Sequence, residues 1–110
     1  MESTAAAPVV QTTVSDHIAL VTIANPPVNA LSAAVRQGLQ QAITALSGNA
    51  DVHAIVITGS GANFIAGADI REFGLPPQEP SLPDVCNQIE ASGKLVIAAI
   101  HGPALGGGLE

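Results

Sequence analysis

Residues 31–61 read LSAAVRQGLQQAITALSGNADVHAIVITGSG, and in this stretch a helix pattern is followed at once by a strand pattern. Apolar residues in its first half recur every three or four positions, at Leu31, Val35, Leu39, Ile43 and Leu46. Ser32 is suited to cap the start of this helix, and Gly48 stands where a helix C-cap belongs. Residues 52–58 then have the apolar run of a short buried strand. The stretch predicts an amphipathic helix that leads back into a sheet.

Before this unit, the chain has the pattern of a β-hairpin. Residues 9–14 and 17–24 are both rich in strand formers, and Ser15 and Asp16 can form a two-residue turn between them. The Asn25-Pro26-Pro27 segment ends the second strand, because proline cannot donate to a strand ladder. Residues 1–8 are small and polar and are predicted to be a loose terminus. The single predicted domain is therefore 9–110.

After this unit, a loop rich in glycine and alanine occupies residues 60–69 and leads into an irregular, mobile segment with four prolines, Pro76, Pro77, Pro80 and Pro83. A short helix is predicted over 84–92 and a third buried strand over 95–100. Strands separated by helices favour an α/β layered fold with parallel pairing.

Composition excludes several classes of function. The net charge is −6, and the permanent cations are only Arg36, Arg71 and Lys94, so binding to nucleic acid is not expected. No apolar run is long enough to span a membrane, and the start of the chain lacks the pattern of a secretory signal. Cys86 is the only cysteine, so no internal disulfide can form and a reducing compartment fits. We expect Cys86 to be a buried or half-buried structural residue.

Common cofactor motifs are absent. Gly59-Ser60-Gly61 follows a strand, but a dinucleotide fingerprint needs glycine at position 64, where the chain has Phe64. No glycine–lysine pair is followed by Ser or Thr, so the phosphate loop of nucleotide hydrolases is missing. No metal-ligand spacing is present, and three histidines isolated in or beside strands are expected to be structural: His17, His53 and His101.

Two glycine-rich loops carry the candidate chemistry. They are FIAGADI, residues 64–70, and HGPALGGGLE, residues 101–110, and each follows a predicted strand. Both can present backbone N–H groups at one edge of the sheet, and two such groups aimed at one oxygen form an oxyanion hole. A carboxylate directly after the second loop, Glu110, could act there as an acid or base. The alternative is two surface turns with Glu110 as a solvated terminus.

These two motifs resemble the signature loops of the enoyl-CoA hydratase/isomerase (crotonase) superfamily. The segment NPPVNALS, residues 25–32, is similar to the loop before the family's first helix. Together with IEASGKLVIAAIHG, residues 89–102, it looks most like the amino-terminal domain of bifunctional β-oxidation enzymes that also carry a 3-hydroxyacyl-CoA dehydrogenase domain. The resemblance runs from about residue 9 to residue 110 and implies a crotonase-like fold, of which this chain is the amino-terminal portion.

The resemblance also implies roles for individual residues. The N–H groups of Ala68 and Gly107 would hold the thioester oxygen, and Glu110 matches the first of the family's two catalytic glutamates. Ala66, Ala68 and Asp69 would lie against coenzyme A, with Asp69 and Ile70 near the acyl chain. The second glutamate would lie past residue 110.

The implied activity is hydration of a 2-enoyl-CoA in fatty-acid β-oxidation, with Δ3–Δ2 isomerisation as a second reaction of the same site. Other crotonase-type reactions, thioester hydrolysis and decarboxylation, and an inactive CoA-binding fragment remain alternatives.

No cofactor is expected beyond the coenzyme A of the substrate, and NAD is expected only if a dehydrogenase domain follows. We expect this chain alone to be inactive and to self-associate through an open apolar patch on strand 95–100. The expected compartment is the cytoplasm, or the peroxisome in a eukaryote.

Overall fold

The computed structural model describes residues 8–61, 64–65, 67–102 and 104–109. Within them lie six strands, two α-helices and two short 3-10 helices. The strands are β1 (Val10–Ser15), β2 (Ile18–Ile23), β3 (Ala30–Leu31), β4 (Ala54–Gly59), β5 (Gly67–Ala68) and β6 (Leu95–Ala98). The α-helices are α1 (Ala33–Ser47) and α2 (Leu82–Glu90), and the 3-10 helices are Ile70–Glu72 and Gly106–Leu109. The loose terminus predicted for residues 1–8 falls, except for Pro8, outside the described residues.

The main sheet has four strands in the order β1-β2-β4-β6. β1 and β2 form the predicted antiparallel hairpin, whereas β4 runs parallel to both β2 and β6. The predicted α/β class with parallel pairing is therefore confirmed. Because β4 and β6 are parallel neighbours, the loops that follow them leave the sheet at the same edge.

Helix α1 covers one face of this sheet and forms the core with it. Ser32 caps the helix as predicted, since its hydroxyl accepts the N–H of Val35, and Gly48 is the C-cap residue. All five residues of the predicted helical stripe are buried, although Leu31 lies in β3 just before the helix. They pack against the buried side chains of the strands: Ala19, Val21, Ile23, Ile55 and Ile57. Burial of this stripe, at about 25 cal/mol per Å² of apolar surface, is what holds the helix on the sheet.

The opposite face of the sheet is open among the described residues. Pairing places Ile18, Ala54 and Leu95 in one row and Leu20, Val56 and Ile97 in the next. Leu95 is 64% exposed and Ile97 is 47% exposed. The prediction of a buried third strand is therefore wrong for β6, because no described layer covers this side. The apolar patch expected there is present.

The hairpin turn differs from the predicted one. Ser15 pairs with Ile18, so the two turn residues are Asp16 and His17 and not Ser15 and Asp16. Both have positive φ, 52° and 68°. A two-residue hairpin turn with two positive φ angles matches the right-handed twist of its strands, and this match decides the register.

Other boundaries shift by a few residues. β4 begins at Ala54, α2 begins at Leu82 behind its cap Ser81, and β6 ends at Ala98. No described helix has the length and apolar character needed to cross a bilayer.

Two of the histidines predicted to be isolated are in contact. The rings of His17 and His53 stack with centroids 4.4 Å apart, and His17 Nδ1 lies 2.9 Å from the carbonyl oxygen of Asp51. Cys86 is half-buried, as predicted.

Candidate functional site

The two glycine-rich loops meet at the edge where β4 and β6 end. Ile65 forms a parallel bridge with Ala104, and its carbonyl oxygen accepts the N–H of Leu105 at 3.0 Å. β5 then pairs with β3, so that Gly67 lies opposite Ala30 and Ala68 opposite Leu31. The expectation that both loops lie at one edge of the sheet is confirmed.

Glycine makes this approach of the two loops sterically feasible. A Cβ atom on Gly108 would collide with the carbonyl oxygen of Ile65 and would lie 2.9 Å from the Cβ of Ile65. A Cβ on Gly67, whose φ is +109°, would lie 3.1 Å from the carbonyl oxygen of Leu105. Side chains at these positions would force the loops apart, so the close approach depends on glycine.

A cavity of about 420 Å³ opens beside Ala68. Its walls come from the loop before β3 and from the segment after β5: Asn25, Pro26, Pro27, Val28, Ala30, Ala68, Asp69 and Arg71. Ala68 is exposed, whereas Gly67 beside it is buried. Ala68 is therefore an accessible residue at the wall of this cavity.

Asp69 and Arg71 form an ion pair at the mouth of this cavity. Arg71 Nη2 lies 2.7 Å from Asp69 Oδ2, and the backbone N–H of Arg71 donates to Asp69 Oδ1 at 2.9 Å. The carboxylate of Asp69 is 6% exposed and the side chain of Arg71 is 77% exposed. The hydrogen bonds from Arg71 hold the pKa of Asp69 below its usual value and raise the pKa of Arg71. Asp69 is therefore ionised at neutral pH, and its charge is balanced by Arg71.

The structure positions several, but not all, of the site residues inferred from sequence. Ala68 and Asp69 line the cavity, Ile70 begins the 3-10 helix that follows, and Gly107 lies in the 3-10 helix Gly106–Leu109, which contacts β5. A Cβ on Gly106 would be 3.9 Å from the Cα of Gly67. Ala66 and Glu110 lie outside the described residues.

Asn29 is a structural residue of the site that sequence reasoning missed. Its side-chain amide donates to the carbonyl oxygens of Ser60, at 2.9 Å, and Phe64, at 3.2 Å, while its Oδ1 accepts the N–H of Asn25 at 2.9 Å. Asn29 is 3% exposed and has a φ of 57°, a conformation that asparagine tolerates better than most residues. Asn29 lies after the Pro26-Pro27 pair and before the apolar residues 30–31, and this position is the one signal in the sequence for a buried turn.

His101 makes a second link between the loops. Its Nε2 lies 2.8 Å from the carbonyl oxygen of Gly61, across the gap between the ends of β4 and β6. The expectation of a structural role for His101 is consistent with this contact. Among the described residues, no group of three His, Cys, Asp or Glu side chains could hold a metal ion.

We expect Asn29→Ala to lower the free energy of unfolding by about 2–3 kcal/mol, because buried backbone groups lose their partners and alanine disfavours positive φ. Asn29→Gly should be less damaging, since it relieves the backbone strain but not the lost hydrogen bonds. The matched control is Asn49→Ala, which removes an exposed side-chain contact to the N–H of Asp51. Urea unfolding followed by circular dichroism measures all three. Equal stabilities of Asn29→Ala and Asn49→Ala would refute the assigned role.

Sequence comparison identifies relatives over nearly the whole chain. A family model described as enoyl-CoA hydratase/isomerase matches residues 13–110. The chain is 47% identical over 97 residues to a peroxisomal bifunctional enzyme of Danio rerio, covering 88% of this chain and 14% of that protein. It is 43% identical over 104 residues to a probable enoyl-CoA hydratase of Bacillus subtilis, covering 88% of this chain and 40% of that protein. The chain thus spans less than half the length of these relatives.

Solved structures agree with the sequence relatives. The chain superposes on Pseudomonas aeruginosa DspI with a TM-score of 0.84 and 32% identity, over 97% of this chain and 47% of that one. An enoyl-CoA hydratase from Mycobacterium avium subsp. paratuberculosis gives a TM-score of 0.83 and 30% identity, over 96% and 43% of the respective chains. The fold is therefore the amino-terminal portion of a crotonase fold, and the chain belongs to the enoyl-CoA hydratase/isomerase family.

Proposed function

We propose that this chain forms part of an enzyme that adds water to a 2-enoyl-CoA in fatty-acid β-oxidation, with the N–H groups of Ala68 and Gly107 as its oxyanion hole. The observation that carries the proposal is the approach of two backbones, that of β5 and that of Gly106–Leu109. Ala68 also lines a cavity whose other walls come from the loop before β3 and the segment after β5. A thioester oxygen bound between these two backbones would meet a donor from each loop.

The chemistry of hydration explains why such donors are needed. Water adds to the β-carbon of the enoyl group, and the π electrons of the double bond move towards the thioester oxygen as an enolate. Two fixed N–H groups stabilise that charge, and removal of one such donor typically costs about 10²–10³ in rate. Protonation of the α-carbon then restores the thioester. Because the protein needs only donors and proton carriers for these steps, the proposed reaction uses no cofactor beyond the coenzyme A of the substrate.

The proton transfers are assigned to carboxylates. Glu110 directly follows the second loop and would activate the water or return a proton. A second glutamate, from outside these residues, would share this work. Isomerisation of a Δ3 to a Δ2 double bond would add no water: a proton would leave the α-carbon, the resulting dienolate would be held by the same two N–H groups, and a proton would return to the γ-carbon.

One exposed cation beside the cavity supports a coenzyme A thioester as the substrate. Coenzyme A carries phosphate groups, and because this chain has a net charge of −6, a local cation is needed to attract them. Arg36 and Lys94 already bind backbone carbonyl groups away from the cavity. Arg71 lines the cavity and is 77% exposed, so it is the cation that can meet a phosphate there. Ala66, Ala68, Asp69 and Ile70 would accordingly contact the bound coenzyme and the start of its acyl chain.

The names of several plant and animal relatives describe them as peroxisomal, and this supports the proposed compartment. We assign the peroxisome to a eukaryotic source and the cytoplasm to a bacterial one.

The proposal can be tested in a chimera in which this chain replaces the matching part of the Bacillus subtilis relative. We expect the chimera to hydrate crotonyl-CoA, and Gly107→Pro to lower turnover by about 10² or more, because one oxyanion donor is lost. Glu110→Gln, which leaves the backbone unchanged, should lower turnover by about 10². Loss of the enoyl absorbance measures the rate, and thermal unfolding confirms that each variant is folded.

The control is Gly48→Ala. Gly48 has a φ of −89°, and a Cβ there would meet nothing closer than 3.9 Å, so turnover should not change. A folded chimera without hydratase activity, or Gly107→Pro and Glu110→Gln variants at the full rate, would contradict the proposal. Thioester hydrolysis or decarboxylation in place of hydration would assign the site to another crotonase-type reaction.

We also propose that this chain self-associates through the open face of its sheet. Leu95→Lys combined with Ile97→Thr should shift it towards the monomer, because these exposed side chains lie on the uncovered strand β6. Sedimentation velocity over a range of concentrations measures the effect. The matched control is Leu75→Thr, which changes a 56% exposed residue outside the sheet. Equal association of all three chains would refute the proposal.

A further inference from the structure

Arg36 and Glu72 form an ion pair between α1 and the 3-10 helix Ile70–Glu72. Arg36 Nη1 lies 3.1 Å from Glu72 Oε1, and the two side chains are 11% and 27% exposed. Glu72 Oε2 also accepts the backbone N–H of Ala33, the first residue of α1, at 2.7 Å. A carboxylate at a helix N-terminus is favourable, because it accepts an N–H that has no partner inside the helix.

Arg36 uses the rest of its guanidinium on backbone carbonyl groups. It donates to Leu31 at 2.7 Å, to Pro80 at 2.7 Å and to Gln78 at 3.2 Å. The carbonyl contacts join α1 to β3 and to the proline-rich segment, and the ion pair joins it to the 3-10 helix that carries Glu72. Only the planar fork of arginine supplies donors in several fixed directions at once.

The ion pair therefore acts at the carboxyl end of β3. Arg36 binds the carbonyl of Leu31, and Glu72 binds the N–H of Ala33, two residues further along. Leu31 is the pairing partner of Ala68. Glu72 itself lies four residues after Ala68. β5, the strand that contains Ala68, is thus linked to α1 in two ways: through its pairing with β3 and through the 3-10 helix that carries Glu72.

We infer that Arg36 and Glu72 are positioning residues that set the direction of the Ala68 N–H. Neither lines the cavity at Ala68, so neither touches the substrate in the proposed site. Their effect reaches Ala68 through the β3–β5 pairing and through the short 3-10 helix. This inference rests on the proposed function, because it requires that the Ala68 N–H bind a thioester oxygen.

The test compares two ligands that differ in the thioester oxygen. Butanoyl-CoA has the carbonyl group, and S-butyl-CoA, a thioether, lacks it. The ratio of their dissociation constants, measured by isothermal titration calorimetry on the 110-residue chain, reports binding to the oxygen alone. Partial unfolding weakens the binding of both ligands by the same factor, so it leaves the ratio of their dissociation constants unchanged. For the parent chain we expect a preference of about tenfold for the thioester, as expected for one or two hydrogen bonds.

Glu72→Ala and Arg36→Lys should reduce this preference to about twofold or less. Glu72→Gln should give an intermediate preference, because its single amide oxygen can still accept the N–H of Ala33 but the contact of the second carboxylate oxygen with Arg36 is lost. The matched control is Lys94→Met, which removes a cation that binds the carbonyl groups of Asn49 and Val52 at the opposite end of β4. That variant should lose stability but keep the parental ratio.

Each outcome separates the two claims. A parent chain that binds both ligands equally contradicts the proposed function itself. If the parent chain prefers the thioester and the Glu72→Ala and Arg36→Lys variants keep that preference, the positioning inference is contradicted. The proposed function is then still supported. Loss of the preference in Lys94→Met as well would show that the ratio follows general stability, and would also overturn the inference.

Discussion

The arrangement of this protein depends on a contact between two backbones. The loop after β4 and the loop after β6 approach so closely that a Cβ at Gly108 would collide with the carbonyl oxygen of Ile65. Parallel pairing of β4 and β6 brings the loops to one edge, and glycine then lets them touch. Through this contact, β5, which contains Ala68, meets the 3-10 helix that contains Gly107. The candidate site is thus made mainly of main chain, and its shape depends on how firmly the main chain is held.

Polar side chains supply that support, most of them from outside the loops and one, His101, from the start of the second loop. Asn29 joins the turn before β3 to the carbonyl groups of Ser60 and Phe64, and His101 reaches the carbonyl of Gly61. Arg36 and Glu72 hold the same region from the side of α1. Each of these four side chains binds at least one backbone group, and such groups would be costly to leave unpaired where they are buried. The apolar core positions α1 on the sheet, whereas these polar contacts position the loops.

Much of this fold could be predicted from the pattern of apolar residues. The helical spacing from Val35 to Leu46 and the short runs of β2 and β4 reflect burial on one face, which leaves a periodic signal. The two glycine-rich loops were recognisable as a candidate site because each follows a strand. β3 and β5 were not predictable in this way, since two residues are too few to show a period.

The partners of single polar residues also escaped the sequence. Asn29 bonds to residues 31 and 35 positions away, and Glu72 bonds to Ala33 and Arg36, 39 and 36 positions away. Such pairings depend on how the chain folds back and leave no local pattern. The hairpin turn lies one residue later than predicted, at Asp16 and His17, because the two positive φ angles that match the strand twist and set the register fall on these residues.

The central claim is that the N–H groups of Ala68 and Gly107 bind one thioester oxygen. Amide resonances of a ¹⁵N-labelled chain, recorded during titration with butanoyl-CoA and with S-butyl-CoA, test it most directly. We expect the Ala68 and Gly107 amide protons to shift downfield with the thioester and not with the thioether, while the other residues that line the cavity respond to both ligands. If the cavity residues respond but the two amides behave alike with either ligand, the oxyanion-hole assignment is contradicted.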